Sequence, residues 1–94
     1  MSEIEEKVMK YRKLTEKAIG KVKFKKGISE KERKIAEDFL EMANNYFNDA
    51  KHFQEKNELL TALAAFSYAH AWLDAGVRAG FFDVGKDDQL FTLP

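Results

Sequence analysis

Few residues in this 94-residue chain have the type and spacing that chemistry needs. His70 and Asp74 stand four apart in AHAWLDAG, so on a helix the carboxylate lies one turn from the imidazole and can orient it. That is the smallest arrangement that makes a general base. Pairing across a helical hairpin whose turn centres near Asn57 sets Tyr46 roughly opposite, so Tyr46, His70 and Asp74 form a candidate polar site. The sequence places no Ser, Cys or Thr nucleophile beside His70 and contains no glycine-rich phosphate loop. A satisfied structural imidazole is the expected role, and no catalytic residue is assigned.

Other chemistries have less to work with. His52 falls several turns from His70 in the same hairpin arithmetic, and neither Glu-x-x-His nor His-x-x-x-His occurs, so no metal site and no cofactor are expected. The same arithmetic sets Arg78 near Glu37 or Asp38, and Asp74 near Glu41. An ion-pair network at the open end of the hairpin is therefore expected. Lys21, Lys23, Lys25 and Lys26 alternate with Val22 and Phe24, a pattern that could meet a phosphate backbone with Phe24 as a stacking surface. Runs of this kind are more often solvated linkers.

The elements that must position these residues follow from periodicity. Ninety-four residues allow one small domain, with apolar residues at 45% and charged residues at 34%, a composition suited to packed helices. Cysteine is absent, and the acidic start Met1–Glu6 is unlike a signal peptide, so a cytoplasmic location is expected. The net charge of zero hides an asymmetry: residues 1–34 hold 12 Lys/Arg and 6 Asp/Glu, and residues 35–94 hold 4 and 10. A basic first third can dock on the acidic remainder, or meet an anionic partner.

Ser2 with Glu5 and Ser29 with Glu32 are capping boxes that start two helices. The first runs from about 3 to 20, with Ile4, Val8, Tyr11, Leu14, Ala18 and Val22 as its apolar stripe. The second runs from about 30 to 55 with a wide apolar face, and Asn57 is its neighbour's expected N-cap. The third runs from about 58 to 79 and ends at Gly80. Its stretch Leu59–Leu73 holds no Asp, Glu, Lys or Arg, yet at about 22 Å it falls short of the about 30 Å hydrocarbon core of a membrane. It reads as a core helix covered on two sides, one stripe bulky and the other rich in alanine. The tail 81–94 adds Phe81 and Phe82, which fold back on the bundle. Its last five residues hold Leu90, Phe91 and Leu93, which need a groove of their own chain or of a partner.

The run Ala62-Leu63-Ala64-Ala65-Phe66-Ser67-Tyr68-Ala69-His70-Ala71-Trp72-Leu73-Asp74-Ala75-Gly76 resembles a family of short archaeal proteins known as domain of unknown function 357. The likeness spans the first helix through Phe82. It implies an archaeal source and a compact helical bundle of this length, and no activity. Some relatives are joined to nucleotidyltransferase-like domains, which implies an accessory role; this chain has none. The hairpin 39–80 also resembles one tetratricopeptide unit, but no 34-residue repeat is present. The Arg-to-His spacing of HEPN-type nucleases is missing.

The sequence thus predicts an all-α, three-helix up-down-up bundle built on an antiparallel αα-hairpin, with an irregular C-terminal tail and one domain over 1–94. Its expected function is a non-catalytic protein-interaction module, with a homodimer among the outcomes and no membrane association. Phe39, Phe47, Trp72, Leu90, Phe91 and Leu93 are the candidate contact residues. Anion binding through Lys21, Lys23, Lys25 and Lys26 comes second, and an enzyme centred on His70 and Asp74 third.

Overall fold

Three helices, α1 (Glu3–Lys21), α2 (Glu30–Glu55) and α3 (Leu59–Arg78), make up most of the chain in the computed structural model, which describes all 94 residues. They form the three-helix bundle that the periodicity predicts. Both capping boxes close. Ser2 Oγ accepts from the Glu5 N–H and Glu5 from that of Ser2, and Ser29 and Glu32 repeat the exchange. Helix α3 is the shared element, because α1 and α2 each pack chiefly against it and meet one another much less.

The antiparallel hairpin sets Phe39 against Trp72, Tyr46 against Tyr68 and Phe47 against Phe66, with ring centroids 5.1, 4.4 and 5.4 Å apart. Its turn differs from the expectation. Asn57 is not the N-cap of α3; it takes φ 61° as the left-handed residue that ends α2. The Asn57 N–H reaches Gln54 O at 3.0 Å and the Glu58 N–H reaches Phe53 O at 2.9 Å, which is a Schellman closure. Glu58 then starts α3 with no side-chain cap. The far end of α3 closes the same way, with Gly80 at φ 81°, Gly80 N–H on Val77 O and Phe81 N–H on Gly76 O.

The lysine-rich connection is more than a linker. Strand β1 (Lys23–Phe24) pairs antiparallel with β2 (Phe82–Asp83), Phe24 opposite Phe82, and the Lys25 N–H adds a bond to Phe81 O. This ribbon clips the end of α1 to the segment after α3. The core accordingly falls into two clusters. Val8, Phe47, Ala50, Ala62, Phe66 and Ala69 fill the end near the hairpin turn. Ala18, Ala36, Ala43, Leu73, Val77, Phe82, Val84 and Phe91 fill the ribbon end, where the tail supplies Phe91. Gly76 is required there, because a Cβ at that position would collide with the Phe82 ring. No helix is long and apolar enough to cross a membrane.

Candidate functional site

His70, Asp74 and Arg78 lie on one polar stripe of α3 at i, i+4 and i+8, and all three hold the tail. His70 Nε2 lies 2.5 Å from Leu90 O, and because a carbonyl only accepts, that nitrogen carries the proton. Asp74 takes the Thr92 N–H at 2.6 Å on one oxygen and the Thr92 hydroxyl at 3.1 Å on the other. Arg78 donates to Leu93 O at 3.0 Å. The expected ion-pair network at the open end of the hairpin does not form: Arg78 pairs with neither Glu37 nor Asp38, and Asp74 and Arg78 both bond the tail instead. Tyr46 does not face His70 either, since it packs on Tyr68 on the other side of α3.

A hydroxyl does sit beside His70, contrary to the expectation. Thr15 of α1 is fully buried, 3.5 Å from His70 Nδ1, and donates to Phe66 O at 3.3 Å. Its place in the heptad-like series Val8, Thr15, Val22 was the available signal, a polar residue amid an apolar stripe. Sealed from solvent and spent on a carbonyl, it cannot serve as a nucleophile. Thr15 thus ties α1 to α3, while His70 and Asp74 tie α3 to the tail.

The lysines sit at the ribbon. Lys23, Lys25 and Lys26 are exposed, while Lys21 is 3.9 Å from Asp87. Phe24 is not free for stacking: Phe82 lies 6.0 Å away and the Arg33 guanidinium stands 4.4 Å over its ring. The neighbouring cleft of about 700 Å³ is lined by Lys21, Lys23 and Lys86 but equally by Asp83, Asp87 and Asp88. A phosphate entering it would meet as many carboxylates as ammoniums.

The candidate contact residues divide. Phe47 and Phe91 are buried in the two core clusters, while Phe39, Trp72, Leu90 and Leu93 are half-buried. Trp72 belongs to an aromatic row running Tyr46, Tyr68, Trp72, Phe39, Phe81, each ring edge-on to the next. Its indole N–H is enclosed without an acceptor in the chain.

Helix α3 is covered on two sides as expected, but it also has a third side that is open and apolar. Leu60 is 75% exposed and Tyr68 45%, and Ala64, Ala71 and Ala75 are exposed along the same line. Tyr68, Ala71, Trp72 and Ala75 line a shallow hollow of about 230 Å³ with almost no polar wall. The sequence concealed this face because α3 is apolar all round, so periodicity could not say which stripe the bundle leaves uncovered.

A family model described as "Protein of unknown function (DUF357)" matches residues 10–82, a span that takes in all of α2 and α3. No curated protein and no solved structure matches the chain.

Proposed function

We propose that this chain, which belongs to the DUF357 family, is a non-catalytic helical protein-interaction module that works in the cytoplasm through the open face of α3. The supporting observation is that face itself. In a chain with 34% charged residues, Leu59–Leu73 carries none, and its outward line Leu60, Ala64, Tyr68, Ala71 and Ala75 stays exposed, with only Tyr68 touched by α2 through Tyr46. Exposed apolar surface of this kind costs free energy unless another surface covers it. Its relief, small residues on the floor and a tyrosine–tryptophan edge, suits a helix lying along it.

The polar residues support a non-catalytic role. The His70 Nε2 proton and both Asp74 oxygens are engaged by the tail, and Thr15 is sealed. A second reading, anion binding at Lys23, Lys25 and Lys26, has in its favour that these three ammoniums are exposed and make no ion pair within the chain.

The test is Ala71→Arg, which sets a charge in the middle of the α3 face without touching the core. Every protein complex that the chain enters should be lost while helical content and melting are kept. Complexes that survive the substitution unchanged contradict the proposal.

A further inference from the structure

We infer that the occupant of the open α3 face is a second copy of this chain, the two α3 helices packed antiparallel about a two-fold axis near Ser67 and Tyr68. The inference rests on the interaction-module reading and names the partner for that surface.

The first support is chemical exclusion. Because no charge lies between Glu58 and Asp74, a charged helix docking there would leave its own ions desolvated and unpaired. The partner surface must be uncharged over about four turns of helix, which the same face of a second copy is.

The second support is that the outward line is its own complement. In an antiparallel pair centred between Ser67 and Tyr68, Leu60 lies opposite Ala75 and Ala64 opposite Ala71, while Ser67 and Tyr68 flank the axis and each faces its own copy. Away from the axis Leu60 meets an alanine and alanine meets alanine, so no bulky residue collides with another along the flanks of this isologous contact. The alanines let the helix axes approach to about 8 Å. Tyr68, Ala71, Trp72 and Ala75 stand at j, j+3, j+4 and j+7, the four corners of a knobs-into-holes socket, and they line the observed hollow. Leu60 of the second copy, opposite Ala75, lies at the edge of this socket, and the symmetry makes the contact twice.

The third support is charge at the ends. Glu58 and Arg78 are both exposed and flank the uncharged stretch. Antiparallel packing brings each Glu58 to the Arg78 of the second copy, whereas parallel packing would set Glu58 on Glu58 and Arg78 on Arg78. The helix dipoles also favour the antiparallel arrangement. A strip one helix wide is smaller than a standard stable interface, so the dimer should dissociate on dilution, with a Kd of about micromolar order.

The absence of cysteine makes the test clean. Under mild oxidation Ser67→Cys should cross-link to itself, since it sits at the axis. Leu60→Cys and Ala75→Cys should each fail to cross-link alone and should cross-link when mixed. Sedimentation equilibrium of the unmodified chain should give a mass rising towards twice 10.9 kDa with concentration. A self-cross-link of Leu60→Cys, or failure of the mixed pair within a proven dimer, overturns the inference. A chain that stays monomeric at every concentration overturns it too. In that last case, loss of a complex with a different protein in Ala71→Arg would still uphold the interaction-module reading, so the two failures are distinct.

Discussion

His70 and Leu90, twenty residues apart, are joined by the imidazole Nε2 proton and a main-chain carbonyl at 2.5 Å. This bond is one rung of three. Asp74 and Arg78 continue it onto Thr92 and Leu93, so a polar stripe that looks like a catalytic pair in the sequence is a strap for the C-terminal segment. Between the rungs Phe91 is driven to 3% exposure in the ribbon-end core.

The strap should therefore depend more on burial than on its polar rungs. Phe91→Ala removes a buried ring and should cost about 3–5 kcal/mol, whereas Asp74→Ala loses two exposed hydrogen bonds and should cost about 1 kcal/mol. Urea denaturation of the two variants checks this order. Equal or reversed costs would mean that the tail is held by its hydrogen bonds.

Gly76 and Phe82 give a sharper packing prediction. A methyl at position 76 meets the Phe82 ring head-on, so Gly76→Ala should destabilise by about 1–3 kcal/mol despite alanine's better helix propensity. Adding Phe82→Leu should recover part of that loss in a double-mutant cycle. Independent, additive effects would mean that the two positions do not touch.

How much of this was legible in the sequence differs from element to element. Ser29 and Glu32 announce the start of α2 because a capping box is local chemistry, complete within four residues. The strap is not local. Whether Asp74 reaches Glu41 or Thr92 depends on where the tail runs, and no periodicity encodes a path through irregular backbone. Asn57 misled for a related reason, since asparagine suits both an N-cap and a left-handed C-terminal position, and only the Schellman bonds decide. The open face of α3 was hidden because Leu60, Ala64 and Ala71 are indistinguishable by type from the buried Leu73, Ala62 and Ala69.

The α2 capping box also sets a pH dependence. The Ser29 N–H and hydroxyl hold the Glu32 carboxyl below the ordinary glutamate value of 4.5. A carboxyl depressed by folding stabilises the folded state above its unfolded-state value, and that contribution fades as pH falls through the lower folded-state value. Glu32→Gln should therefore melt lower than the parent at neutral pH, and the difference should close below pH 4.5. A gap that widens on acidification would contradict the cap.

The lysines of the ribbon offer a test of the competing role. If Lys21, Lys23, Lys25 and Lys26 bound nucleic acid together, log K would fall against log salt with a slope of about −3 to −4. With Phe24 covered by Arg33 and Asp83, Asp87 and Asp88 alongside, we expect no such salt-dependent binding in a titration of duplex or single strands. A slope of that size, lost in Lys23→Ala/Lys25→Ala, would establish the anion-binding role instead.

The most direct measurement is sedimentation equilibrium of the parent chain beside Ala71→Arg, with circular dichroism on the same samples. The parent should approach twice 10.9 kDa as concentration rises and the variant should remain at 10.9 kDa with the same helical content. Identical self-association in both would contradict the assignment of the α3 face as the surface on which this protein meets its partner.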